Sequence, residues 1–127
     1  MQFALPGIPS IYYGDEVGLT GFRDPYCRMG YPYGKEDMEL LSYFQALGNL
    51  RKTYREDFSK PIEYMTAIRD VVYFSRGDLL FVINAGEYDE NVKIKSNFVT
   101  IFGCENIKIQ EDLFIIPAGT FGVLHKK

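Results

Sequence analysis

The side chains best suited to chemistry crowd into one short stretch. Asp15 and Glu16 are adjacent, Asp24 and Arg28 stand four apart, and Tyr31 and Tyr33 follow closely. Two carboxyl groups divide the roles of acid and nucleophile when they flank one bond about 5–5.5 Å apart. Neighbours on an extended strand point to opposite faces, so Asp15 and Glu16 do not make that pair. Asp24 and Arg28 can hold each other, because a carboxylate accepts and a guanidinium donates in fixed geometry. As a bare surface ion pair they would contribute only about 0–1 kcal/mol. Tyr31 and Tyr33 can serve as stacking platforms or as packing, whereas Tyr12 and Tyr13, inside an apolar run, are expected in a strand core. Cys27 and Cys104 lack CxxC spacing and histidine company, so no metal site is expected and two separate thiols are the reading. His125, two residues from the end, reads as a solvated tail residue.

These groups need a frame, and the chain changes character near Pro61. Ile8–Tyr13 is a β-branched and aromatic run bounded by Pro6-Gly7 and Gly14. It predicts a strand buried on both sides, of the parallel-sheet kind. Residues 14–34 are rich in glycine, with Pro25 and Pro32, and form a loop long enough to suggest function. A helix is predicted over 37–54, with Asp37 as its N-cap and Glu39 favouring the positive end of the helix dipole. Leu40, Leu41, Phe44, Leu47, Leu50 and Tyr54 make one apolar stripe along it. Gly48 costs about 1 kcal/mol against alanine in a helix, which predicts a neighbour packed closely there.

After Pro61 the pattern is β throughout. Strands are predicted near 62–68, 71–76, 79–84, 91–95, 99–102, 107–110, 113–116 and 122–125, with a hairpin turn at Arg76-Gly77-Asp78. Val92 and Ile94 alternate with Lys93 and Lys95, and Ile107 and Ile109 with Lys108 and Gln110, as half-wet strands should. Short strands at this spacing predict an antiparallel sandwich or barrel. Tyr64, Tyr73, Phe74, Phe81, Phe102 and Phe114 are its expected core. The class is mainly β (α+β), with a domain boundary expected between residues 57 and 58.

Composition excludes several roles. The 127 residues are 46% hydrophobic and 16% aromatic, which suits a packed core rather than disorder. A formal net charge of −3 builds no face for nucleic acid. Apolar runs such as Leu79–Ile83 are too short to span a bilayer. Met1–Leu5 carries no basic residue and runs straight into Pro6-Gly7, so no signal peptide is expected there.

The run from Pro6 to Gly21, PGIPSIYYGDEVGLTG, followed by Asp24-Pro25-Tyr26-Cys27-Arg28 and by Leu50-Arg51-Lys52, resembles the end of the catalytic barrel in glycoside hydrolase family 13, the α-amylase family. The form of the Asp24–Arg28 segment is nearest the neopullulanase, cyclomaltodextrinase and maltogenic amylase branch. A tryptophan commonly follows this loop there; here Tyr33 stands near that place. The resemblance is specific over roughly the first 55 residues and looser beyond. It implies that 1–57 is a remnant of the last βα unit of a (β/α)8 barrel, with an orphan barrel strand and a helix. Residues 58–127 would be the antiparallel β-sandwich C-terminal domain.

The resemblance also implies an α-glucan or maltooligosaccharide as the parent enzyme's partner, with Asp24 and Arg28 contacting a glucose unit through its vicinal hydroxyls. Tyr31 and Tyr33 are possible sugar-stacking residues, and Glu16 takes a structural role. The family's three catalytic carboxylates belong to earlier barrel strands, so the parent would be an O-glycosyl hydrolase and this stretch non-catalytic. No cofactor or metal follows, and the cytoplasm is the favoured location. A free-standing carbohydrate-binding module is the alternative. A barrel strand without neighbours exposes unpaired backbone and apolar side chains, so residues 3–13 are expected to disorder, refold or self-associate.

Overall fold

The computed structural model describes residues 1–95 and 97–127, the side chain of Tyr64 excepted, so the core role expected of Tyr64 lies outside the described residues. The chain divides into two compact units, Met1–Thr53 and Tyr54–Lys127.

In the second unit every predicted strand forms: β1 (Tyr64–Ile68), β2 (Val71–Arg76), β3 (Leu79–Asn84), β4 (Glu90–Lys93), β5 (Phe98–Gly103), β6 (Lys108–Gln110), β7 (Leu113–Ile116) and β8 (Thr120–Lys126). They make a five-stranded sheet in the order β1-β2-β3-β8-β5 and a three-stranded sheet in the order β4-β7-β6. All pairings are antiparallel. The two sheets share one core. Val71, Tyr73, Leu80, Val82 and Leu124 of the first pack with Val92, Ile94, Ile107, Phe114 and Ile116 of the second strand set and its loops. The alternation read from sequence explains the sidedness: Val92 and Ile94 are buried while Lys93 and Lys95 are exposed.

Strands β2 and β3 depart from simple alternation because both of their faces are covered. Phe74 and Phe81, directly opposed across the ladder, stack at 5.0 Å on the face away from that core. Phe58 of a short helix, α2 (Arg55–Ser59), lies 5.6 Å from Phe81. Period-two reasoning does not reveal this helix, which is only five residues long. It is latched by Arg76, only 2% exposed, whose Nε donates to the Lys60 carbonyl at 3.1 Å and whose Nη2 donates to the Phe58 carbonyl. A guanidinium there meets the negative end of the helix dipole. At the β2–β3 turn Gly77 has φ +57, and a Cβ would collide with the Asp57 carboxylate. That carboxylate accepts the Asp78 N–H at 2.9 Å. The turn therefore needs glycine twice over, for its dihedral and for the close approach. His125 is a correction: it is half-buried in β8 against Tyr54, ring centres 5.3 Å apart, because the strand runs on through it.

In the first unit, α1 spans Met38–Thr53, and the Asp37 carboxylate caps it by accepting the Leu40 N–H at 2.9 Å. Gly48 does not have the expected neighbour. It is exposed on the flank near Gln45 and Asn49, and a Cβ there would meet nothing within 4 Å. The Arg51 guanidinium gathers the carbonyls of Phe3 (2.6 Å), Leu5 (3.4 Å) and Gly7 (2.7 Å), which ties the first residues to the helix. The strand expected at 8–13 is not formed, since a parallel strand takes its hydrogen bonds from strands on either side and none pairs with it among the described residues. Ile8 is 95% exposed.

Candidate functional site

The glycine-rich loop that follows holds its shape with backbone hydrogen bonds. Gly14, at φ +91, accepts the N–H groups of Val17 (3.1 Å) and Leu19 (2.9 Å) on its carbonyl. A Cβ on Gly14 would lie 2.6 Å from the Leu19 side chain, so no other residue fits. The Gly14 N–H donates to Glu16 Oε2 at 2.9 Å, and the buried Val17 accepts the Asp37 N–H at 3.1 Å, joining the loop to the start of α1. Asp15 and Glu16 thus sit in a 3-10 turn, Asp15–Val17, and not on an extended strand. The structural role read for Glu16 has a physical basis in that hydrogen bond.

A second 3-10 turn, Tyr26–Arg28, begins after Pro25 and brings Arg28 back over Asp24. Arg28 Nε lies 3.0 Å from Asp24 Oδ1, with the two side chains 72% and 66% exposed. The Cys27 thiol lies 3.8 Å from the same oxygen. Both cysteines are free thiols. An ion pair this open contributes at most about 1 kcal/mol, and its remaining donors and acceptors face solvent. The rings of Tyr31 and Tyr33 stand 4.9 Å apart, tilted by 50°, with Tyr33 83% exposed. Desolvation, then the Glu16 and Glu36 carboxylates, push the Tyr31 phenol above its ordinary pKa.

The sequence-selected residues therefore come together as two pairs, Asp24 with Arg28 and Tyr31 with Tyr33. A separate cleft of about 220 Å³ in the same unit is lined by Tyr12, Tyr13, Asp15, Leu19, Phe22 and Met29, among others. Tyr12 and Tyr13 are not core: they are exposed, their rings 4.8 Å apart, and the Tyr13 hydroxyl donates to the Met29 carbonyl at 2.8 Å. The reason is the missing strand ladder, which would have set their burial. Desolvation, then Tyr12, raise the Tyr13 phenol pKa. Phe22, 72% exposed with the Arg23 guanidinium 5.8 Å from its ring centre, was not picked out by sequence reasoning. Its signal was there to read: a lone large aromatic within Thr20-Gly21-Phe22-Arg23. No group of three or more histidine, cysteine, aspartate or glutamate side chains is placed to hold a metal among the described residues.

No family model matches the chain. Among curated proteins it is 40% identical over 76 residues to an amylopullulanase of Thermoanaerobacter thermohydrosulfuricus, an alignment covering 60% of this chain and 5% of that protein. It is 36% identical over 91 residues to a cyclomaltodextrinase of a Bacillus species, covering 65% of the chain and 16% of the relative. Among solved structures, a maltogenic amylase from S. marinus superposes with a TM-score of 0.71 and 29% identity over 99% of this chain and 18% of its own. The chain thus spans only a small part of each of these larger proteins.

Proposed function

We propose that the chain serves as the C-terminal region of an α-glucan-acting enzyme of the α-amylase family, a reading supported by its likeness to a small part of an amylopullulanase, a cyclomaltodextrinase and a maltogenic amylase. In that role it stabilises the parent enzyme and does not catalyse by itself. The observation that carries this reading is the alignment of almost the whole chain with under a fifth of a maltogenic amylase. Residues 1–57 supply the last βα unit of the parent's barrel, and 58–127 its C-terminal β domain. Ligand sites of such barrels lie on the loops after the strands, where the loop carrying Asp24 and Arg28 falls. There the carboxylate accepts from, and the guanidinium donates to, vicinal hydroxyls of one glucose unit, while Tyr31 and Tyr33 stack on a neighbouring ring. The apolar surface at residues 3–13, most open at Ile8, meets the rest of the barrel in the parent and pairs with a second copy when the chain is alone.

Two measurements test this. Purified chain incubated with maltodextrin should release no reducing ends above a heat-killed control; sustained release would overturn the non-catalytic reading. Gel filtration across a concentration series should show dimer or higher species, and a strict monomer would remove the self-association.

A free-standing carbohydrate-binding module is the second reading, favoured by the exposed Tyr33 ring beside Tyr31. It requires saturable binding of maltooligosaccharide that D24A, R28A and Y33A each weaken. Without saturation, only the first reading stands.

A further inference from the structure

One cleft of the β unit is lined by none of the residues discussed so far as sugar contacts. It encloses about 500 Å³ and is open at one side of the sandwich. Leu80 and Tyr73, only 2% and 3% exposed, and the half-buried Phe98 give it an apolar wall. Lys93, Lys95 and Lys126 also line it. The placement follows from topology. Lys93 ends β4, the edge strand of the smaller sheet, and Lys95 follows two residues later, past the strand end and likewise exposed. Lys126 ends β8 of the larger sheet.

Three lysines thus line one cleft, and none has an ion-pair partner among the described residues. No carboxylate side chain is among the lining residues. The Asp57 carboxylate, near Gly77 at one end, is engaged by the Asp78 N–H. A chain of net charge −3 nonetheless concentrates cations here. The volume falls within the range of small-molecule sites, roughly 300–1,000 Å³. Lysine is a good point-charge partner for phosphate, and an apolar wall beside the charges suits the carbon face of a small ring.

We propose that this cleft binds a small anionic ligand of the phosphate-monoester class, a phosphorylated monosaccharide or disaccharide, with Lys93, Lys95 and Lys126 holding the phosphate and Phe98 packing against the ring. The site is independent of the loop carrying Asp24 and Arg28 and does not rest on the reading of that loop.

Calorimetric titration of the full chain with glucose 6-phosphate, inorganic phosphate and maltose tests it. Glucose 6-phosphate should saturate one site and weaken with added salt, as screened charges do. Inorganic phosphate should bind the same site more weakly, and maltose should not compete. The triple variant K93Q/K95Q/K126Q should lose affinity for both phosphates by at least about tenfold, the loss of roughly one strong charge-assisted contact. F98A should weaken glucose 6-phosphate alone. Circular dichroism identical to the parent chain certifies that the lysine variant is folded. Absent saturation, or affinity unchanged in a folded triple variant, the proposal fails; maltose competing with glucose 6-phosphate would also overturn it, by making the site one for neutral sugar.

Discussion

Met1–Thr53 and Tyr54–Lys127 are built from similarly aromatic sequence and treat it in opposite ways. In the second unit Tyr73, Phe74, Phe81 and Phe114 are at most 3% exposed. In the first, Tyr12, Phe22 and Tyr33 are each more than half exposed. The difference is not one of hydrophobicity. Three of the antiparallel pairings, β1–β2, β2–β3 and β6–β7, join consecutive strands, and β3–β8, β5–β8 and β4–β7 close within the same unit, so the sandwich finds its strand partners inside its own sequence. A parallel strand needs partners delivered by separate crossovers, and Ile8–Tyr13 has none here. Apolar residues are buried when the chain also supplies the surface that covers them.

This contrast can be broken by measurement. The largest expected effect is at Phe114, fully buried between the sheets: Phe114→Ala should lower stability by about 3–5 kcal/mol, read by urea unfolding followed by far-ultraviolet circular dichroism. A loss under 1 kcal/mol would mean the two sheets do not share the core described. Arg76→Ala comes next, at about 2–4 kcal/mol, because the carbonyls of Phe58 and Lys60 lose a buried donor. Hydrogen exchange should show α2 deprotected in that variant while β4–β7 pairing survives; unchanged protection of α2 would refute the latch. In the first unit the sign reverses at Gly48, where alanine meets open space: Gly48→Ala should stabilise α1 by about 0.5–1 kcal/mol. Destabilisation would reveal a packed neighbour at that flank. Smallest of all, Tyr12→Ser should move the urea midpoint by no more than about 0.5 kcal/mol equivalent. A cost above 2 kcal/mol would place Tyr12 in a core after all and erase the contrast.

Legibility followed the same divide. Period-two alternation in Val92–Lys95 and Ile107–Gln110, and the Gly77-Asp78 turn, gave away the β unit because each feature is local. Asp37 announced the helix start by residue type alone. Non-local matters stayed hidden. Nothing in Arg76 or in the five residues of α2 signals that one latches the other across 16–18 positions. The burial of Tyr12 and Tyr13 was misjudged because it depends on strands that do not pair with them. Of the candidate site, the pairing of Asp24 with Arg28 was readable from four-residue spacing. The cleft floored by Tyr12, Tyr13 and Phe22 was not, since it forms only when the loop folds back on itself.

By itself the sequence determined the strands of the second unit, the wet and dry faces around Val92–Lys95, the capped helix and the family resemblance carried by Pro6–Arg28. These are properties of residue type at short spacing, and short spacing survives without a fold. Tertiary structure alone decided which face of β2 and β3 α2 would cover, that the Arg76 guanidinium would be buried in hydrogen bonds, and that Lys93, Lys95 and Lys126 would line one cleft. Those outcomes depend on distances between residues far apart in the chain, and such distances exist only once the sheets have packed.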